Sequence, residues 1–220
     1  MIAKELISGE IQPLKVSDKA VIALHWMDEF RIGLLPVVDG ELYVGMVSEE
    51  AIFNLGNFEE SLSEVPLVTI GTSVDQHQHV FDVIRNASSL KLSIVPVVDT
   101  AGNYLGVITQ QAMIDYIARM NAVDNPGGIV VLEVAQNNYS LAEIARIAEA
   151  DEAHVLSANV VSSPDSSLIE VIIKFDRLNI QQVIQSLERH GYRTKASFFE
   201  KDSAEDLHDR YDSLMNFLNI

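Results

Sequence analysis

At 220 residues and 48% hydrophobic content the chain is long enough for two modest cores, and with no cysteine it excludes disulfides, thiolate catalysis and thiolate metal sites. Its formal charge of −17 opposes nonspecific attraction to nucleic acid or an anionic membrane, and no apolar run approaches the roughly 20 residues needed to span a bilayer. The opening MIAKELISGEIQPL has no signal-peptide pattern, so cytoplasmic residence is the expectation.

Val21, Leu24, Met27 and Phe30 recur at helical spacing and predict the first helix. Residues 34–52, LLPVVDGELYVGMVSEEAI, then read as a strand, a tight Asp-Gly turn, a second strand and a helix whose N-cap is Ser48. The same phrase returns at residues 94–113 as IVPVVDTAGNYLGVITQQAM. Pro36 aligns with Pro96, Asp39 with Asp99, Tyr43 with Tyr104, Gly45 with Gly106 and Ser48 with Thr109, after one extra residue in the second turn. A helix carrying Val80, Val83, Ile84 and Leu90 precedes the second hairpin. A single copy of about 55 residues buries too little surface to be secure alone, so the copies are expected to pack as one domain with any ligand between them. Pairing Val16 with Ile70, 54 residues on, makes the first helical region of the second copy about six residues longer than that of the first, an insertion holding Gln76-His77-Gln78-His79.

LPVVD with VG and Ser48, and VPVVD with LGVIT, resemble the CBS-domain family, in which two such repeats form a pseudo-twofold Bateman module. The likeness covers about residues 1–122, with repeat one at about 1–58 and repeat two at about 62–122. It implies a regulatory, ligand-sensing module that binds an adenine nucleotide or related adenosyl metabolite in the clefts between repeats. It also implies a homodimer, since modules of this type commonly pair. The residues it places around the clefts are Leu34, Pro36, Ser48, Ala51, Ile94, Pro96, Thr109 and Ala112. Nucleotide-binding members carry an aspartate three positions after the capping hydroxyl, to hold the ribose; here those positions are Ala51 and Ala112. Losing charge-assisted bonds of about 1.5 to 3 kcal/mol each weakens adenosine binding. Ser48 and Thr109 are either plain N-caps or hydroxyls turned toward an anion. Leu34, Pro36, Ile94 and Pro96 suit an apolar slot for a flat base or simple core packing. Arg31 and Lys91, at matched places, are either phosphate contacts or solvated surface charge.

Asn125-Pro126-Gly127-Gly128 reads as a linker. Beyond it come a strand (residues 129–134), a helix capped by Ser140, two β-rich runs (154–161 and 168–175) around a turn at 162–167, a helix carrying Val183, Ile184 and Leu187 that stops at Gly191, and a last strand at 192–199. The order βαββαβ predicts a ferredoxin-like sandwich. LAEIARIAEADEAHVLSANVV and VIQSLERHGYRTKAS resemble the ACT-domain family over about residues 129–199. Amino-acid-binding members often carry an Asp and a Pro-Gly after the first strand; this chain has Gln136-Asn137-Asn138-Tyr139-Ser140. Residues 200–220 hold Leu207, Tyr211, Leu214 and Leu218 on one face of an acidic amphipathic helix. The fold class expected is therefore α+β: a tandem CBS pair, an ACT-type ferredoxin-like domain and a C-terminal helix.

No nucleophile motif, phosphate-cradling glycine loop or His-Glu metal motif occurs, so neither a catalytic residue nor a resident metal or cofactor is assigned. The leading expectation is a non-catalytic regulator with a small-molecule ligand. The alternatives are an interaction scaffold with degenerate clefts and a small hydrolase or transferase using His77, His79 and Asp82. Histidines at i and i+2 do not face each other on a helix, which disfavours the last.

Overall fold

In a computed structural model the described residues are 1–9, 11–162 and 166–199, and they form two compact units, Met1–Tyr116 and Ile117 onward. The expected C-terminal helix at 200–220 and the middle of the turn at 162–167 lie outside the described residues.

The first unit holds the doubled element order. Repeat one contains β1 (Leu14–Lys15), α1 (Ala20–Phe30), β2 (Leu34–Asp39), β3 (Leu42–Ser48) and α2 (Glu49–Leu55). Repeat two contains β4 (Val74–Asp75), α3 (Val80–Leu90), β5 (Ile94–Val98), β6 (Tyr104–Thr109) and α4 (Gln110–Met120), the last continuing past Tyr116. Each repeat is a three-stranded sheet, ordered β1-β2-β3 or β4-β5-β6, with a short parallel entry strand and an antiparallel hairpin. The hairpins even share an irregularity: register slips between Val37 and Val38 and again between Val97 and Val98. Their tips pair, Tyr43 N–H donating to the Gly102 carbonyl (3.0 Å) and Tyr104 N–H to that of Glu41 (2.8 Å). One continuous apolar core runs through both repeats, from Leu35 and Val37 to Val95 and Val97.

Leu14 and Val74, Ala20 and Val80, and Leu34 and Ile94 are each 60 positions apart, so repeat two carries no insertion ahead of its hairpin. The expected six-residue expansion rested on pairing Val16 with Ile70, but Ile70 is 88% exposed while Val74 is buried in the strand that matches Leu14. His77 and His79 sit in the β4–α3 turn. This turn is built as its counterpart is: Asp75 N–H donates to Gln78 Oε1 (2.9 Å) where Lys15 N–H donates to Asp18 Oδ2 (2.8 Å).

The segments leading into the repeats are exchanged. A 3-10 turn at Leu62–Glu64 docks on repeat one, Leu62 N–H donating to the Asp18 carbonyl and Ser63 N–H to that of Val16. The matching turn at Ala3–Leu6 docks on repeat two, Ala3 N–H donating to the Gln78 carbonyl and Lys4 N–H to that of Gln76. Farther on, the first segment bridges β3 through Val68 and Met46, and the second bridges β6 through Ser8 and Val107. Gly45 and Gly106 permit these crossings. They adopt φ of +148° and +145°, and an added Cβ would lie 3.0 Å from the Val68 carbonyl oxygen or 2.4 Å from Ile7 Cγ2.

The second unit contains β7 (Ile129–Ala135), α5 (Leu141–Ala150), β8 (Val155–Ser162), β9 (Leu168–Phe175), α6 (Gln181–Arg189) and β10 (Arg193–Phe198). All pairings are antiparallel, in the order β10-β7-β9-β8. Alternation sends Val130, Leu132, Val134, Ile169, Val171 and Ile173 to one face, where they are buried against Ile144, Ile147 and Ala148 of α5 and Val183 and Leu187 of α6. Ser140 caps α5 by accepting from Glu143 N–H (3.3 Å), and Gly191 leaves α6 at φ +87°. The residues just ahead of the stretch read as a linker are bonded to this sheet. Lys174 Nζ donates to the carbonyls of Ala122 (2.5 Å) and Val123 (3.0 Å), and Asn159 Nδ2 donates to Asn121 Oδ1 (2.6 Å).

Candidate functional site

The capping hydroxyls lie at the open ends of the hairpins, Ser48 paired with Leu34 and Thr109 with Ile94. Each accepts from the backbone three residues on, Ser48 Oγ from Ala51 N–H and Thr109 Oγ1 from Ala112 N–H, both at 3.1 Å. These bonds satisfy helix donors that would otherwise be orphaned. Pro36, Ile94 and Pro96 are buried within the central strands, and Leu34 is half-buried.

Of the sequence-chosen positions, Ser48 and Ala51 line one cavity, of about 450 Å3, with Glu50, Asn54, Leu55, Glu64 and Pro66. Glu64 and Pro66 belong to the segment leading into repeat two, so its walls come from both repeats. They carry two carboxylates and no lysine or arginine. Sequence reasoning missed Glu50, Glu64 and Pro66; the signal for the last two was the matched glycines, which mark where a foreign segment crosses each hairpin.

Arg31 and Lys91 end α1 and α3 in the left-handed conformation, at φ of 53° and 54°. Arg31 lines a separate cavity of about 600 Å3 together with Asp28 and Glu49. Basic residues at helix C-termini suit the dipole, which accounts for both positions.

Two matched tyrosines stand near the hairpin tips. Tyr43 Oη lies 2.7 Å from Thr72 Oγ1, and Tyr104 Oη donates to the Ile11 carbonyl at 3.5 Å. Burial pushes the Tyr43 phenol up to about 12 and that of Tyr104 higher still, the neighbouring Tyr43 adding to the latter.

The three groups of the hydrolase alternative are engaged separately. His77 Nδ1 is 3.2 Å from Asp75 Oδ1, His79 Nδ1 accepts from Phe81 N–H (3.2 Å) as the α3 cap, and Asp82 pairs with Arg85 (2.5 Å). Among the described residues no three His, Asp or Glu side chains gather as a metal site. Among them, too, no helix is long and apolar enough to cross a membrane.

In the second unit a cavity of about 220 Å3 opens beside the loop after β7, lined by Glu133, Asn138, Glu143, His190 and Tyr192 among others. Tyr192 Oη donates to Glu143 Oε2 (2.8 Å), and burial followed by that bond pushes the phenol up to about 12. Tyr139 packs on the apolar core of this unit.

The doubled strand, helix, hairpin and capped helix have a counterpart among known families. Residues 62–119 match the CBS domain family. The matched CBS stretch starts at Leu62, so the turn docked on repeat one belongs in sequence to repeat two. In fold, the chain is similar to a CBS domain pair/ACT domain protein from Thermotoga maritima, at 17% identity and TM-score 0.48 over 53% of this chain and 96% of that one. It is similar to the CBS domains of a transcriptional regulator from Streptococcus pneumoniae, at 19% identity and TM-score 0.47 over 52% of this chain and 98% of that one. It is also similar to CBSX2, solved in complex with AMP, at 19% identity and TM-score 0.46 over 53% of this chain and 95% of that one.

Proposed function

We propose that the chain is a non-catalytic, cytoplasmic regulatory protein that senses a small molecule in the cavity beside Ser48 and Ala51. The observation that carries this reading is the composition of that cavity: α2 supplies one wall, and Glu64 and Pro66, on the way into repeat two, supply another. A ligand seated there touches both repeats, so it can favour one arrangement of the pair by differential contact. An adenine nucleotide or related adenosyl metabolite is the first class to test. Within it the walls favour a ligand without phosphate, because the lining offers carboxylates and no cation to an anion. Ala51 leaves a ribose without its charged acceptor. We read the second unit as an ACT-type, ferredoxin-like module, which its strand order and one-sided helices support.

Thermal-shift titration with AMP, ADP, ATP and S-adenosylmethionine tests the proposal. A ligand at 100 times its Kd adds about 2.7 kcal/mol of apparent stability. The cationic sulfonium compound is expected to shift the transition most. A flat response across all four sinks the adenosyl reading and leaves the scaffold, which one observation favours: Pro36, Ile94 and Pro96 are buried, leaving no open slot for a base between them.

A further inference from the structure

The cavity of about 600 Å3 lined from α1, α2 and the turn after α1 holds three charged side chains that do not pair. Arg31 forms an ion pair with neither Asp28 nor Glu49, and none of the three side chains has a hydrogen-bond partner among the described residues. The buried Met27 and Ile32 and the exposed Phe53 add apolar surface to the same cavity. Repeat two shows which of these residues the fold requires. Its positions matching Asp28, Arg31, Glu49 and Phe53 are Ser88, Lys91, Gln110 and Ile114. Both repeats keep a cation at the helix end, but the two carboxylates and the aromatic ring belong to repeat one. Neither carboxylate is there for its helix. Asp28 stands in the last turn of α1, where a negative charge opposes the dipole, and α4 opens on Gln110 without one.

We propose that this cavity binds a free α-amino acid with an apolar side chain. The charges on its walls select a zwitterion: a plain anion meets two carboxylates, and a plain cation meets a guanidinium. An amino acid answers both signs at once. Its carboxylate fits the planar fork of Arg31, which a lysine does not reproduce, and its ammonium falls to Asp28 and Glu49. Its side chain lies on Met27, Ile32 and Phe53, as ligand cavities of this size are mostly apolar with a few polar groups that fix orientation. The cavity is separate from the one beside Ser48, which α2 lines with Glu50 and Ala51, so this site does not depend on the adenosyl reading.

Calorimetric titration of the full chain with L-leucine and L-phenylalanine tests the proposal. At least one is expected to bind, with one equivalent per chain. Analogues lacking the carboxylate (3-methylbutylamine, phenethylamine) or the ammonium (4-methylpentanoate, 3-phenylpropanoate) are expected to bind at least tenfold more weakly. Arg31→Met is expected to weaken the amino acid at least tenfold and to erase its preference over the amine. Asp28→Asn with Glu49→Gln is expected to erase its preference over the acid. Lys91→Met, the matched change in repeat two, is expected to leave binding as it was. No heat from either amino acid at millimolar concentration overturns the proposal. Binding that the repeat-one variants leave unchanged overturns it too, because the ligand is then seated elsewhere. If Arg31→Met does not fold, the carboxamide pair and the analogues decide.

Discussion

Repeat one is closed by the turn leading into repeat two, and repeat two by the turn leading into repeat one, so neither repeat has a complete core of its own. Where they meet each other and the crossing segments they are alike: the same slipped hairpins, the same glycines, the same hydroxyl caps. They part company on their outer helices. Helix α1 turns Ile22 and Trp26 outward, with Trp26 stacked on Phe30, where α3 carries Asp82 and Asn86 and an Asp82–Arg85 pair. Positions that pack on another segment of the chain are held by geometry. Outward positions are free to diverge.

Deleting Met1–Ile7 breaks the exchange on one side only and has the largest expected effect. Burial of Leu6 contributes about 1.5–3 kcal/mol and that of the half-buried Ile7 about half as much, and the lost backbone bonds of Ala3 and Lys4 contribute about 1 kcal/mol apiece, so a loss of about 4–6 kcal/mol is expected in denaturant unfolding. Hydrogen exchange is expected to show α3 losing more protection than α1. Equal losses in both helices would show that the turn at Ala3–Leu6 is no closure of repeat two in particular.

The matched glycines sharpen the comparison at the next level. Gly45→Ala and Gly106→Ala each meet left-handed strain of about 1–2 kcal/mol and crowding of about 1–3 kcal/mol, for about 2–5 kcal/mol in all. Their clashes differ in kind. At Gly106 the obstacle is Ile7 Cγ2, the end of a side chain, whereas at Gly45 it is the Val68 backbone. Adding Ile7→Ala is therefore expected to recover about 1 kcal/mol of the Gly106→Ala loss and none of the Gly45→Ala loss in a double-mutant cycle.

Much of this frame is readable in the residue order. The doubled PVVD phrase locates both hairpins, Ser48, Thr109 and Ser140 mark helix starts, and Gly191 marks a helix end, because these signals act over three or four residues. Signals acting across the chain are hidden. Nothing local to Ala3–Leu6 says that its partners are Gln76 and Gln78. Apolar content also misleads where small residues do the packing: Val21 is 42% exposed, whereas Ala20 and Ala23 are fully buried, since an alanine lets a helix approach a sheet closely. The false match of Val16 with Ile70 has the same root, as hydrophobicity does not separate an exposed isoleucine from a buried valine. At the candidate site, the capping positions led to the cavity, but the wall drawn from residues 64–66 required the crossing to be seen.

The tyrosines give the two repeats a pH readout. The Tyr43 and Tyr104 phenols are held above the value near 10 of an unfolded chain. Their contribution is thus fully present below about pH 10 and lost as pH rises through the folded values. Tyr43→Phe is expected to cost about 1 kcal/mol at pH 8, through the lost bond to Thr72. Its melting temperature is then expected to converge on that of wild type between about pH 10 and 12. A gap that stays constant to pH 12 would show that Tyr43 titrates no later when folded than when unfolded.

The smallest expected effect separates the two helix ends. Arg31 and Lys91 both occupy a left-handed C-cap, where a side chain costs about 1–2 kcal/mol that glycine avoids. Glycine in turn loses the attraction of a cation to the helix C-terminus, about 0.3–1 kcal/mol, and leaves more freedom to the unfolded chain. For Lys91→Gly these terms leave a gain of about 0.5 kcal/mol. Arg31 has more to lose, because Asp28 and Glu49 share its cavity and would be left without their neighbouring cation, so Arg31→Gly is expected to change stability little or lower it. Urea midpoints of the two variants decide the point: equal gains would mean that the carboxylates beside Arg31 contribute nothing to holding repeat one together.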